Sequence, residues 1–264
     1  NMRERSWARD LLESMDLPDD ILAEVIQPGT VLGPLESKLA REVGLEGTPV
    51  VVPACHDTGS AVAAVPAAGS GFAWISSGTW SVIGTELPDP VVNEQSLNFN
   101  LTNEGGVGGT FRLCKNIMGL WLVQECRRTW EREGESLSYG ELAQMASQAE
   151  PFRAVIDPDD TEFLKPGEMP ARIRAFCQRT NQPAPADKAA TIRCILESIA
   201  LKYRWVLEGV EKVIGRRLDP IHIVGGGAQN EVLNQFTANA TDRQVVTGPI
   251  EATVTNWTDH NRWL

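Results

Sequence analysis

The segment that most restricts the fold runs from Asp187 to Thr247. Apolar residues recur at Ile192, Ile195, Leu196, Ile199, Tyr203, Val206, Leu207, Val210 and Val213, the three-and-four spacing of a long helix with one buried face. Asp187 is suited to cap its start, and Gly215 to end it. Pro220 to Val224 then forms a short apolar run of the buried-strand type, followed by a turn at Gly225, Gly226 and Gly227. Helical periodicity returns from Asn230 to about Ala240, and Gln244 to Thr247 is again strand-like. Helix, strand, glycine turn, helix and strand in that order predict an α/β layered domain.

The upstream residues supply the rest of the sheet. Phe72 to Thr85 reads as two strands joined by a turn at Ser77, Gly78 and Thr79; further extended segments are expected from Ser96 to Thr102 and around Gly109 to Leu113. These make an antiparallel set, so the whole sheet is mixed. Asn116 to Trp130 has helical spacing. Ser138 and Glu141 form a capping box flanked by Leu137 and Leu142, and Pro170 sits in the first turn of a helix reaching about Arg179.

The first 48 residues read as a short helix, Trp7 to about Met15, followed by irregular chain. Thr48 to Cys55 is an apolar run of the kind buried in a parallel sheet, and it ends at His56, Asp57 and Thr58. Asp57 or Thr58 is placed to cap a helix through the small residues Gly59 to Ala64. Pro66 to Gly71 is the best linker candidate, which divides the chain into residues 1–67 and 68–264.

Charge and composition remove several classes. A net charge of −11 with no long basic run argues against nucleic acid, whose phosphates demand Lys and Arg. No stretch reaches the roughly 18 apolar residues of a membrane span, and the first residues lack a signal-peptide core, so a cytoplasmic protein is expected. The five cysteines lack CxxC spacing and the three histidines are scattered, which disfavours a metal held by these residues. Cys177 and Cys194 meet only if their helices pack together, and buried free thiols are the commoner outcome.

Three polar sites end apolar strands, where open α/β sheets bind ligands. At His56, Asp57 and Thr58, a carboxylate beside a helix start can accept a proton from a hydroxyl, or it can simply cap the helix. Asp57 to Ser60 also spells the aspartic-protease signature, but no second such triplet exists to share the proton. The turn from Ser76 to Ser81 offers hydroxyls and NH groups to a phosphate, or is an ordinary hairpin turn. The glycine run at 225–227 permits close approach of a nucleotide, or is a plain tight turn; it matches neither the dinucleotide fingerprint nor a P-loop.

Taken in order, these sites resemble the FGGY family of carbohydrate kinases, relatives of hexokinase and actin. The matching stretches are His56 to Val62, Ile75 to Ser81, Thr102 to Gly106, Lys115 to Trp121, His222 to Asn230 and Gly248 to Thr253. The stretch from Lys115 to Trp121, with His56 to Thr58, points within the family to rhamnulokinases. The resemblance implies the C-terminal domain of a two-domain sugar kinase, with an actin-like, ribonuclease H-like ATPase fold. It implies transfer of a phosphoryl group from ATP, with Mg²⁺, to the 1-hydroxyl of L-rhamnulose. By the same resemblance Asp57 is the general base, with His56, Asp57, Thr58 and Asn116 at the sugar. Thr79, Gln124 and Gly226 then lie at the nucleotide.

Two departures qualify the match. The family opens with a phosphate loop on a first hairpin, and no such segment precedes residue 48, so an incomplete chain of weak or no activity is expected. After Thr253 the β-branched, polar tail to Leu264 is a poor helix former where the family has a helix. L-fuculokinase is the rival within the family, and a non-catalytic nucleotide-binding module the rival outside it.

Overall fold

Alternating apolar residues on short strands need a layer on each face, and the long amphipathic helix supplies most of one. A computed structural model describes residues 1–67, 69 and 71–251. The tail after Thr253 and residues Ala68 and Ser70 of the linker lie outside the described residues. The chain begins with α1 (Arg9–Ser14), β1 (Val31–Pro34), α2 (Ser37–Val43), β2 (Pro49–Val51) and α3 (Asp57–Ala63). The main sheet starts with β3 (Ala73–Ser77) and β4 (Trp80–Leu87), and continues after α4 (Glu94–Asn98) with β5 (Thr102–Gly105) and β6 (Phe111–Met118). Helices α5 (Trp121–Arg132), α6 (Tyr139–Gln148), α7 (Met169–Arg179) and α8 (Lys188–Ile214) follow, then β7 (Ile221–Val224), α9 (Glu231–Thr241) and β8 (Val245–Thr247).

The six-stranded sheet has the order β5-β6-β4-β3-β7-β8. Strands β3, β7 and β8 run parallel, whereas β4, β6 and β5 join by antiparallel ladders, giving the expected mixed sheet. One face carries Ile75, Ile83, Leu113 and Ile117 against the buried stripe of α8 and its neighbouring helices. The other face carries Trp74, Val82, Cys114 and Val224 beneath Val62 of α3 and the following Val65. Asp187 accepts the Ala190 N–H at 2.8 Å to start α8, and Gly215 ends it in the left-handed region. Ser138 and Glu141 form the capping box of α6.

Three expectations change. The segment from Ser96 to Thr102 is not a strand: Asn93 accepts from the Ser96 N–H at 2.8 Å and Ser96 Oγ accepts from the Asn93 N–H at 3.1 Å, so a local capping box starts α4 and the strand begins at Thr102. Asn116 is not helical but on β6, in register with Val82; the helix begins only at Trp121, after Gly119 has turned the chain. The run from Thr48 is not a buried parallel strand. Only Pro49–Val51 pairs, antiparallel to β1, with all three residues exposed, because Pro49 and Pro53 remove ladder donors and both strands present exposed side chains.

All five cysteines are free thiols. Helices α7 and α8 bring Cys177 and Cys194 together, and the hydrogen bond that the Cys194 thiol donates to Cys177, with burial, pushes the Cys194 thiol up.

Candidate active site

The register places the chemistry. Because Ser76 of β3 pairs with Val224 of β7 in a parallel ladder, the turn at Ser77–Thr79 and the glycine run leave the sheet at the same, carboxyl-terminal edge. A Cβ at Gly225 would lie 2.9 Å from the Ser77 carbonyl, and one at Gly227 would lie 2.1 Å from Ser77 Oγ. These two glycines are therefore required by the neighbouring turn. Gly226 differs: a Cβ there would meet nothing within 4 Å, so its bare backbone faces open space. A flat ligand can reach the main chain there.

Thr79 and Gln124 are brought together. Thr79 Oγ1 lies 3.2 Å from Gln124 Oε1 and 3.1 Å from Nε2, linking the turn to the first turn of α5. The turn is fixed there by backbone bonds as well: Leu120 N–H donates to the Gly78 carbonyl at 2.9 Å, and Trp121 N–H to that of Thr79 at 3.1 Å. Gly119 permits this contact, since a Cβ would sit 2.7 Å from the Gly78 oxygen.

Beneath the turn lies Tyr203 of α8, whose hydroxyl is 2.7 Å from Ser81 Oγ and 3.3 Å from Ser77 Oγ. Burial pushes its phenol up, the two serines opposing, so it remains a neutral hydrogen-bonding post. In the sequence Tyr203 reads as one more residue of an apolar stripe. The signal was available: a buried tyrosine hydroxyl needs a polar partner, and Ser77 and Ser81 flank the turn.

The other predicted residues form a second group. His56 is the residue before α3, and Asp57 is its first helical residue, with its side chain 79% exposed. Asp57 Oδ1 accepts the Thr58 N–H at 2.7 Å and lies 3.5 Å from the Thr58 hydroxyl and 3.6 Å from His56 Nδ1. The carboxylate thus satisfies its own helix start while presenting itself to solvent. Thr58 is buried. Asn116 is exposed on β6, on the sheet face that carries Cys114 and packs beneath α3. The edge group of Thr79, Gln124 and Gly226 and the face group of His56, Asp57, Thr58 and Asn116 are two parts of the surface.

Other singled-out residues belong to the core. Met118 is buried, Trp121 donates its indole N–H to the Phe163 carbonyl at 3.0 Å, and His222 packs edge-on to Phe72 at 5.6 Å. A shallow cleft lined by Asp219, Asn239, Asp242, Arg243 and Gln244 lies at the opposite, amino end of β7 and β8.

Residues 73–255 match the FGGY family of carbohydrate kinases, C-terminal domain. The chain is 46% identical over 244 residues to a rhamnulokinase of Bacteroides thetaiotaomicron, covering 92% of this chain and 50% of that protein. It is 39% identical over 249 residues to a rhamnulokinase of Oceanobacillus iheyensis, covering 94% and 52% respectively. The chain spans about half the length of the curated relatives it matches. Among solved structures, a gluconate kinase from Lactobacillus acidophilus superposes with a TM-score of 0.71 at 15% identity, covering 99% of this chain and 52% of that one. Plasmodium falciparum glycerol kinase with ADP superposes with a TM-score of 0.68 at 13% identity, covering 97% and 50%. At these identities the likeness is one of fold.

Proposed function

Because the chain belongs to the FGGY family of carbohydrate kinases, we propose that it is the nucleotide-binding half of an ATP-dependent sugar kinase that phosphorylates L-rhamnulose at its 1-hydroxyl. The observation that carries the reading is the pairing, at one sheet edge, of the hydrogen-bonded Thr79 and Gln124 with the open backbone of Gly226. The sugar identity is supported by the two rhamnulokinases at 46% and 39% identity.

In this proposal the turn of Thr79 receives the terminal phosphates and Gly226 lines the adenosine side. Asp57 accepts the proton of the attacking hydroxyl, with His56, Thr58 and Asn116 around the sugar. Phosphoryl transfer needs positioning and charge neutralisation more than covalent chemistry, so one carboxylate and phosphate-binding turns form a coherent half-site. Mg²⁺ would neutralise charge on the phosphates. Such an ion usually keeps several waters and is bound through one or two carboxylates and the phosphates rather than by an all-protein cage.

Residues 1–67 are the end of the sugar domain in this reading and 68–264 the nucleotide domain, which the start of the family match at residue 73 supports. The cytoplasm, with its ATP and reducing poise, suits the five free cysteines. Among the described residues no helix is long and apolar enough to cross a membrane.

A coupled assay of ADP release tests the reading, comparing the chain alone, the chain extended N-terminally with the first half of a rhamnulokinase, and the extended Asp57→Asn variant. The extended chain is expected to turn over L-rhamnulose in preference to L-fuculose, and the other two to be slower by orders of magnitude. Turnover by the chain alone, or an undiminished rate in Asp57→Asn, contradicts the proposal. Preference for L-fuculose would move the assignment to a fuculokinase, and nucleotide binding without turnover of any sugar to a non-catalytic module.

A further inference from the structure

Arg112 of β6 is 2% exposed, and its surroundings are unusual for a buried cation. Its Nη2 lies 2.9 Å from Glu104 Oε2 on the neighbouring strand, and its Nε donates to the Gly105 carbonyl at 3.3 Å. Among the described residues Nη1 is buried and makes no hydrogen bond, and Glu104 Oε2 meets Arg112 by charge alone, without a hydrogen bond. Leaving a buried donor unmet is costly, and a guanidinium held this way is a poor investment in stability alone.

The guanidinium faces the first turn of α3. A Cβ added at Gly59 would lie 3.2 Å from Arg112 Nη2 and 3.3 Å from Cζ, and 2.9 Å from Ala54 Cβ on its other side. Gly59 is thus a spacer whose bare Cα lets the helix rest on the flat guanidinium. The turn above it closes on His56: the Gly59 and Ser60 N–H groups both donate to the His56 carbonyl, at 2.8 and 3.2 Å. Asp57 sits within that turn, two residues from the contact. Arg112 lies on the strand outside the segment 1–67, so the contact ties the turn carrying Asp57 to the main sheet.

We propose that Arg112, oriented by Glu104, is a positioning residue for Asp57: it fixes the first turn of α3 and so the direction in which the carboxylate points. This rests on the reading of Asp57 as the base. A guanidinium suits the task, because its Nε bonds the Gly105 carbonyl while Nη2 stays at ion-pair distance from Glu104 and against Gly59.

Amide hydrogen exchange on the 264-residue chain tests it. The double variant Arg112→Met/Glu104→Gln removes both charges, so no carboxylate is stranded. We expect exchange at Gly59 and Ser60 to rise by about tenfold or more, while amides of β4 and α8 stay within about twofold. Gly59→Ala disturbs the same contact from the other side and is expected to give the same local loosening, which keeps the test available if the double variant does not fold. Protection at Gly59 and Ser60 that is unchanged, or that falls only in step with the whole chain, overturns the proposal. In the extended enzyme the same double variant is expected to lower kcat by about tenfold or more with KM for ATP unchanged, a split that a merely structural role would not give. Asp57→Asn is the separate control, since a retained rate there sinks the base reading, whereas unchanged exchange or an unchanged kcat in the double variant sinks the positioning role.

Discussion

Three adjacent glycines do two different things. Gly225 and Gly227 are held against Ser77, whereas Gly226 opens outward. Gly227→Ala is therefore expected to destabilise the fold by about 1–3 kcal/mol, since Ser77 is itself held by Tyr203 and cannot easily yield. Gly226→Ala should leave the urea midpoint nearly unchanged. Tyr203→Phe removes the shared partner of Ser77 and Ser81 and should cost about 1–3 kcal/mol, read in the same titration. The residues proposed for the site at Thr79, Gly226 and Asp57 could be singled out in the sequence because each lies at a turn that ends an apolar run. Tyr203 and Arg112 were not: Tyr203 lies in an apolar stripe and its partners Ser77 and Ser81 are distant along the chain, as is Gly59, which the fold sets against Arg112.

At the scale of elements, local hydrogen bonds decided where periodicity misled. The residues from Ser96 onward alternate well enough for a strand, but the bonds between Asn93 and Ser96 close at short range and start α4 first. Long amphipathic α8 was legible throughout, since nine apolar positions on one stripe leave no competing period. Its far end is fastened by Arg243, whose Nη2 donates to both Glu211 carboxylate oxygens at 2.8 and 2.7 Å and whose Nε donates to the Leu218 carbonyl at 2.9 Å. Arg243→Met strands that carboxylate, and we expect a loss of about 3–5 kcal/mol in unfolding free energy. At the start of α6, the Ser138 hydroxyl and N–H hold Glu141 below the ordinary glutamate range. A lowered folded-state value means stability that is present above the unfolded value and is lost as pH falls through the folded one. The drop in thermal midpoint from neutral pH into the acid range should accordingly shrink in Ser138→Ala, where neither state of Glu141 is favoured by the hydroxyl.

Across the whole molecule, apolar exposure is uneven. Trp7, Leu11, Ile21, Val31, Leu32, Val50 and Val51 all leave large apolar side chains in solvent close together in the sequence, whereas from β3 onward the two sheet faces carry buried cores and exposed ones such as Trp80, Leu97 and Phe152 are scattered. The sequence announced an apolar run at Val50–Val52 but not that Val50 and Val51 are exposed while Val52 is buried, because a burial pattern names a face without naming what lies over it. The claim beneath all the others is that nucleotide sits at the shared edge of β3 and β7. Calorimetric titration of the chain with ADP and Mg²⁺ tests it directly, in the wild type and in Gly226→Val. The account predicts one site in the wild type and an affinity about tenfold or more weaker in Gly226→Val, with its thermal midpoint nearly unchanged, because a Cβ there meets nothing within 4 Å. Equal affinity in the two proteins would contradict it.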